Sequence, residues 1–358
     1  MKTDLHSPQL RQLSRRDFLK HSSTALLALF CLPLDDSLTL IKAGLWVPKA
    51  EVEPLLGRIL TNRVLIYDRP SLNGKLLKAY PMDAIKPITQ VTIGDLEPAY
   101  NRIWYELDYD GFAHSGSVQP VQLHRNQPEL SIPAGGRLAA VSVPFTDIIW
   151  HPRWPDSIAH RLYYDTLHWI TGNFMDAHGQ LWYIIQDDKW ELVYYGNPAH
   201  YRFLQPAEMT PLSANLPDSE KRIEINLDQQ IVTAYEADEP VFMTKSATGA
   251  KFRDGDYSTP HGHFITNRKR PSRHMAAGDP AASNGYDLPG IPWVCYLTKS
   301  GISFHGTYWH NDFGKPRSHG CINLSIEAAR WVYRWTNPTV PFGIDNFEVP
   351  KGTQVHIF

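Results

Sequence analysis

Arg317-Ser318-His319-Gly320-Cys321-Ile322-Asn323 lies near the C-terminus of the chain, and Phe304-His305-Gly306-Thr307 stands shortly before it. His305 to Asn323 spans nineteen residues. A thiol is a good nucleophile only as the thiolate, and a nearby imidazole supplies both a base and a counter-charge. The pattern therefore predicts cysteine acyl transfer, with Cys321 as nucleophile. Gly320 removes a side chain just before the cysteine, which lets backbone N–H groups at Gly320 and Cys321 face a developing oxyanion. Two histidines compete for the role of base. His305 ends an apolar segment sixteen residues upstream, and the intervening residues are numerous enough to loop back. His319 sits two residues before the cysteine. Spacing alone leaves both open.

Outward from this motif, Trp293 to Thr298 and Ile302 to His305 read as a hairpin around Lys299-Ser300-Gly301. Upstream, Ile223, Ile225 and Leu227 alternate with Glu224 and Asn226, which is strand periodicity. Asp228-Gln229-Gln230 turns the chain, Ile231 to Tyr235 returns, and Val241-Phe242-Met243 makes a third strand leading to Ser246-Ala247-Thr248-Gly249. Gln354-Val355-His356-Ile357-Phe358 is a closing strand. One helix is expected near 325–337. Ser325 can cap it, Glu327 suits the positive end of its dipole, and Ala328, Trp331, Val332 and Trp335 form one apolar face. Asn337-Pro338 ends it.

Before residue 220 the chain repeats itself. One copy opens with Arg63-Val64-Leu65-Ile66-Tyr67 and closes with Ile103-Trp104-Tyr105-Glu106-Leu107, Gly111-Phe112-Ala113 and Val118-Gln119-Pro120. The other is read as opening with Val141-Ser142-Val143-Pro144-Phe145. It closes with Leu181-Trp182-Tyr183-Ile184-Ile185, Trp190-Glu191-Leu192-Val193 and Leu204-Gln205-Pro206. Short alternating strands broken by polar turns indicate small barrels. Each copy resembles a bacterial SH3-like domain, over residues 57–125 and 136–210. The resemblance implies binding to glycan or cell-wall peptides; a spacer is the plainer reading. Trp150, Trp154, Tyr163, Tyr164 and Trp169 are candidates for a sugar-stacking face, although core packing explains aromatics more often. A proline-bracketed linker, 211–218, separates the pair from the third domain, 220–358.

The N-terminus carries Ser14-Arg15-Arg16-Asp17-Phe18-Leu19-Lys20, which matches a twin-arginine export signal. The apolar run after it, Thr24 to Leu34, is shorter than the roughly 20 residues a membrane span needs. Residues 1–43 therefore read as a signal segment, with Ala43 a candidate cleavage position and a retained anchor the alternative. Lipidation of Cys31 is rejected because Phe30 before it is not small. The expected location is extracytoplasmic, at the cell wall or the periplasmic face.

The 358 residues suit several domains, and 42% hydrophobic content supports packed cores. A net charge of -2 gives no reason to expect nucleic acid. With 28 prolines and 23 glycines, a mainly β chain is expected over a helical bundle. Three cysteines imply no disulfide framework. Cys295 reads as a buried strand residue. A pairing with Cys321 would consume the working thiol.

With these features assembled, residues 221–358 resemble an L,D-transpeptidase catalytic domain. The resemblance is carried by Thr259-Pro260-His261-Gly262-His263-Phe264, by His305-Gly306, by Ser318-His319-Gly320-Cys321-Ile322-Asn323 and by the closing strand. It implies a β-rich catalytic domain after two SH3-like barrels. Cys321 is then the nucleophile and His305 the general acid/base, its other ring nitrogen held by a backbone carbonyl near Gly306. His319 becomes a supporting residue shaping the pocket, Gly320 an oxyanion backbone donor and Ser318 a turn-fixing residue. Arg317, Asn323 and, by analogy, Tyr286 are substrate-binding candidates. The implied substrate is a peptidoglycan tetrapeptide stem, with release of D-alanine and a 3→3 cross-link to a second amine. Carbapenems are implied covalent inhibitors, and no cofactor is required. Water as acceptor would make an L,D-carboxypeptidase, and a protein lysine would make a wall-attachment enzyme.

Other chemistries fit less well. The spacing H-x₄-H-x₈-H-x-C over His305, His310, His319 and Cys321 matches no paired zinc pattern, so no metal is expected. A papain-like order needs a histidine after the cysteine, and only His356 follows. A non-catalytic wall-binding protein would not need both His305 and Cys321. Finally, Arg268-Lys269-Arg270-Pro271-Ser272-Arg273 is expected to be a solvated loop, or else a basic lid over the cleft.

Overall fold

The computed structural model describes residues 54–278 and 285–358. The twin-arginine segment, its apolar run and Cys31 lie outside these residues. Seven strands form the first sheet: β1 (Leu56–Ile59), β2 (Arg63–Tyr67), β3 (Leu76–Pro81), β4 (Ile85–Ile93), β5 (Ile103–Leu107), β6 (Phe112–His114) and β7 (Val118–Val121). Seven more form the second: β8 (Arg137–Val141), β9 (Phe145–Ile149), β10 (Ile158–Tyr163), β11 (Leu167–Met175), β12 (Leu181–Gln186), β13 (Val193–Gly196) and β14 (Tyr201–Phe203). The strand orders are β3-β2-β6-β5-β4-β1-β7 and β10-β9-β13-β12-β11-β8-β14. These are the same order, offset by seven, so the repeat is a repeat of topology. The equivalences differ from those expected at the second copy's edges. Val141 ends β8, and β9, the counterpart of β2, begins at Phe145. Likewise Leu204-Gln205-Pro206 follows the last strand, whereas Val118-Gln119-Pro120 lies within one. Apolar runs around a turn are hard to phase by eye because two adjacent strands carry similar residues.

The rest of the chain builds two five-stranded sheets. The first uses β15 (Lys221–Asn226), β16 (Ile231–Glu236), β17 (Glu239–Lys245), β20 (Gly262–Ile265) and β26 (Gln354–Ile357), in the order β17-β16-β15-β26-β20. The second uses β21 (Arg268–Ala277), β22 (Tyr286–Tyr296), β23 (Ser303–Gly306), β24 (Ile322–Leu324) and β25 (Phe347–Glu348), in the order β24-β23-β22-β21-β25. A small ribbon of β18 (Lys251–Phe252) and β19 (Gly255–Asp256) projects between them in sequence. The alternation in β15 buries Ile223 and Ile225 fully, while Glu224 stays partly exposed.

The helix α1 (Ile326–Trp335) packs Ala328, Ala329, Val332, Tyr333 and Trp335 into the core. Ser325 caps it by accepting from the Ala328 amide at 3.2 Å. Trp331 stacks on Phe242 of β17 with 4.1 Å between ring centroids. Its C-terminal carbonyls are met by Lys269, whose Nζ donates to Tyr333 O at 2.7 Å and Thr336 O at 2.5 Å. A buried cation at the negative end of a helix satisfies both the orphan carbonyls and the dipole.

That contact overturns both expectations for the basic stretch. Residues 268–273 are strand, not loop or lid, and Lys269 is 0% exposed. Arg270 pairs with Asp188 and Asp345, and Arg273 with Asp188 at 2.6 Å. Cations that have specific buried partners need no solvent. The five aromatics also do not share one face. Trp150 and Trp154 are exposed, whereas Trp169 lies in the core with its indole N–H on Asp345 at 3.0 Å. Cys295 is fully buried on β22, and Cys295 and Cys321 are free thiols.

Residues 54–358 belong to one compact unit. Leu138, Ala140, Leu167 and Trp169 of the second module share the core of the third domain. The first module is joined through Arg58 of β1, 3% exposed. Arg58 Nη1 pairs with Asp83 at 2.9 Å, Nη2 donates to Gln119 Oε1 at 2.8 Å and to Tyr308 O at 2.5 Å, and the guanidinium lies 3.9 Å over the Tyr163 ring. Tyr163 stacks on Tyr308 at 5.4 Å. One guanidinium thus ties both modules to the segment following β23. Arg58→Ala leaves Gln119 Oε1 and Tyr308 O without this donor, while Asp83 keeps Arg161 at 3.0 Å. It is expected to cost about 1–3 kcal/mol of unfolding free energy in urea denaturation, the scale of a buried acceptor left unpaired.

Candidate active site

Strands β23 and β24 run parallel, with Phe304 opposite Ile322 and His305 opposite Asn323. One step back in this register, Cys321 stands at the mouth of β24 opposite Ser303. Ser303 and His305 share a face of β23 because side chains alternate. The Ser303 hydroxyl lies 3.8 Å from the Cys321 sulfur, and the thiol reaches Gly301 O at 3.8 Å.

His305 is 3% exposed, and its Nδ1 lies 3.1 Å from Gly306 O. A carbonyl only accepts, so Nδ1 carries the proton and Nε2 presents its lone pair. Burial pushes the imidazole down to about 4, with the Gly306 carbonyl opposing. Burial likewise pushes the Cys321 thiol up, opposed by the Ser303 amide and hydroxyl. At neutral pH both groups are uncharged. The thiolate–imidazolium pair anticipated from the motif is not the resting state, because a packed site disfavours both charges.

The turn before the cysteine is held from three sides. Ser318 Oγ accepts from the Gly320 amide at 3.1 Å and donates to Cys321 O. Thr259 Oγ1 donates to Gly320 O and accepts from the Gly249 amide, both at 2.8 Å. The Thr248 carbonyl accepts from the Arg317 and Ser318 amides at 2.8 and 2.9 Å. Gly320 has φ +115°, a region that glycine enters without strain. Gly249 is needed for space: a Cβ there would run into the Tyr257 carbonyl and the Thr259 amide.

Several expected roles change here. The Gly320 amide is taken by Ser318, so it is not an oxyanion donor. Asn323 is 2% exposed, with its carboxamide 3.0 Å from His310 Nε2 and its backbone paired to Ala247. It is interior framework, out of reach of a substrate. Arg317 is exposed but bound to Asp312 at 2.8 Å, which also holds Lys315 at 2.8 Å. Its charge is therefore already compensated. His319 is exposed and stacks on Phe252 at 4.8 Å, with Tyr257 edge-on at 4.6 Å and Tyr286 at 5.9 Å. It makes an aromatic rim to the site. Tyr286 does face the site: burial raises its hydroxyl, and the Cys321 charge adds to the shift.

Sequence reasoning missed Ser303, Phe252 and Tyr257, and quoted Thr259 without assigning it a role. Ser303 was findable, being two residues before His305 on one strand. Thr259, Phe252 and Tyr257 come to the turn only through the fold. Among the described residues, no group of three His, Cys, Asp or Glu is placed to hold a metal ion.

Residues 220–357 match the YkuD family, described as the L,D-transpeptidase catalytic domain. The chain is 26% identical over 136 residues to the Bacillus subtilis (strain 168) protein called "Putative L,D-transpeptidase YciB", a match covering 34% of this chain and 66% of that one. The chain thus spans slightly under two thirds of the length of the curated relative. Among solved structures, the catalytic domain of an E. faecium L,D-transpeptidase is 22% identical, with TM-score 0.29, covering 38% of this chain and 96% of that chain. The LD transpeptidase LdtMt1, in complex with imipenem, is 17% identical with TM-score 0.31, covering 65% of this chain and 100% of that chain. Residues 220–357 therefore carry a domain of the YkuD family.

Two predictions follow from the buried groups. His305 at about 4, and His168 and His310 at about 3, all lie below the ordinary 6.5. The unfolded chain therefore binds more protons between pH 6.5 and 4. The stability these rings contribute is whole above pH 6.5 and is lost on acidification towards 4, about 3 kcal/mol for His305 alone. Denaturant titrations at pH 7, 5.5 and 4.5 should show that decline. Thr259→Val should cost about 1–3 kcal/mol by stranding the Gly249 amide, and Thr259→Ser should recover most of it in the same assay.

Proposed function

We propose that this chain is a cysteine acyltransferase that remodels peptidoglycan stem peptides, with Cys321 as nucleophile and His305 as general acid/base. The supporting observation is the His305 tautomer. Its Nδ1–H is committed to Gly306 O, so its Nε2 lone pair is available on the strand face where Ser303 touches the Cys321 sulfur.

Both groups start neutral, so proton transfer accompanies attack. Cys321 Sγ bonds to the carbonyl carbon at the L-centre of the diamino acid while His305 Nε2 takes the thiol proton. The tetrahedral oxyanion is met by the Cys321 amide and the Tyr286 hydroxyl; one such donor is worth about 3 kcal/mol. The C–N bond to the terminal D-alanine breaks, and His305 returns the proton to the leaving amine. A thioester remains. A second stem's amine then attacks it, loses its proton to His305, and releases the thiol to form a 3→3 cross-link. Ser318 and Thr259 hold the turn, and His319 lines the approach.

Carbapenems acylate the same sulfur in this reading, and the imipenem complex of LdtMt1 is in keeping with it. The twin-arginine segment accounts for delivery of a folded enzyme to the extracytoplasmic face. The two repeated modules are taken as SH3-like wall-binding units, a reading supported by their common strand order.

Intact-mass spectrometry with a carbapenem tests the assignment. Wild type should gain one adduct and Cys321→Ala none; an adduct on the variant would refute the nucleophile. His305→Ala should lower turnover of tetrapeptide muropeptides by about 10²-fold or more, the scale of general acid–base catalysis. His319→Gln should lower it far less. The product masses identify the acceptor as amine or water.

A further inference from the structure

His274 of β21 is 1% exposed and lies between two carboxylates. Its Nδ1 is 2.5 Å from Asp187 Oδ2, in the β12–β13 turn of the second module. Its Nε2 contacts Asp287 Oδ1 on β22. Ionised carboxylates only accept, so both ring nitrogens must donate and the ring is an imidazolium. The same turn grips the hairpin at more points. Asp188 accepts from the His274 amide at 2.8 Å and pairs with Arg270 and Arg273, and Lys189 Nζ donates to Ala276 O at 2.8 Å. A register shift falls at His274, after which Ala276 faces Asp287 and Ala277 faces Tyr286.

Asp287 is the residue after Tyr286, whose ring meets His319 beside Cys321. We propose that the His274 imidazolium, clamped between Asp187 and Asp287, is a positioning residue that sets Tyr286 against Cys321, making the second module part of the catalytic apparatus. This rests on the acyltransferase reading above. The clamp has the rigidity such a task needs, because charge-assisted hydrogen bonds are short and directional. Other ionisable groups face it from every side. His160 of β10 packs edge-on to the ring at 5.6 Å and lies 3.8 Å from Asp287. His160 also reaches the Tyr194 hydroxyl of β13 at 3.4 Å. His168 of β11 is bonded to Thr166 at 2.9 Å and is held neutral by burial. The two carboxylates hold His274 above its ordinary value against the opposing effect of burial. The clamp is therefore released only as pH rises through that elevated value.

A double-mutant cycle tests positioning against plain stability. His274→Gln should slow carbapenem acylation of the full-length enzyme by about tenfold. In a Tyr286→Phe background the same change should slow it less than about threefold, because the hydroxyl being positioned is gone. Equal losses in both backgrounds would overturn the proposal. Should His274→Gln not fold, Asp187→Ala, which opens the clamp from the second module, takes its place in the cycle. In wild type, ¹⁵N shifts of the His274 ring should report two protonated nitrogens at pH 7; a neutral ring would also overturn it. If wild type forms no Cys321 adduct at all, the acyltransferase reading falls and this inference with it. An adduct accompanied by equal losses removes this inference alone.

Discussion

The parallel pairing of β23 with β24 is the constraint on which the site depends. It aligns Ser303 with Cys321 and puts His305 on the same face. Parallel neighbours cannot be joined by a tight turn, so the chain must leave after Gly306 and return at Ile322. The crossover contains no helix. Its polar groups therefore need partners from elsewhere, since buried backbone N–H and C=O groups are costly unless paired. The first module supplies many of them. Arg58 donates to Tyr308 O, Gly116 O accepts from the Asn311 amide, and the carbonyls of Ser115 and Val118 accept from the Asn311 carboxamide. The segment 246–250 supplies the rest nearest the cysteine, through Ser246 and Thr248.

Seen this way, the repeated modules do more than precede a catalytic domain. The first braces the crossover between His305 and Cys321. The second shares the hydrophobic core and grips the β21–β22 hairpin through Asp187, Asp188 and Lys189. A spacer would need neither set of contacts. Both interfaces use buried charge, Asp83 shared by Arg58 and Arg161 in one and His274 with two aspartates in the other. Breaking such a pair costs more than forming it contributes, because the remaining charge is left without solvent or partner. The arrangement therefore holds each module in one register rather than adding much net stability.

Burial also sets the chemistry. The same packing that raises the Cys321 thiol lowers the His305 imidazole. An ion pair at rest would be stabler in a wet cleft, and here the neutral pair is favoured. In the proposed reaction the thiolate forms only as a carbonyl arrives to receive it, which would keep the thiol from passing electrophiles and oxidants.

Much of this was legible in the chain. Alternation located β15, turn residues located the returning β16 and β23, Ser325 and the spacing of Ala328, Val332 and Trp335 located α1, and the internal likeness of the two copies located the repeated sheets. These signals are local: a strand or helix writes its own period into neighbouring residues. The Ser-His-Gly-Cys turn was legible for the same reason. What the sequence could not decide depends on residues far apart. Arg268 to Arg273 look like a solvated basic run, yet they form a strand because Asp188, Asp345 and the end of α1 receive their charges. Asn323 looks available next to the cysteine, yet it is buried deeper along the strand, where its carboxamide meets His310. The Gly320 amide looks free until Ser318 turns back to it. The sequence by itself determined which elements form and which thiol and imidazoles are on hand. Only the tertiary structure decided which groups meet and which are buried, because partnership and dielectric are properties of the packed whole.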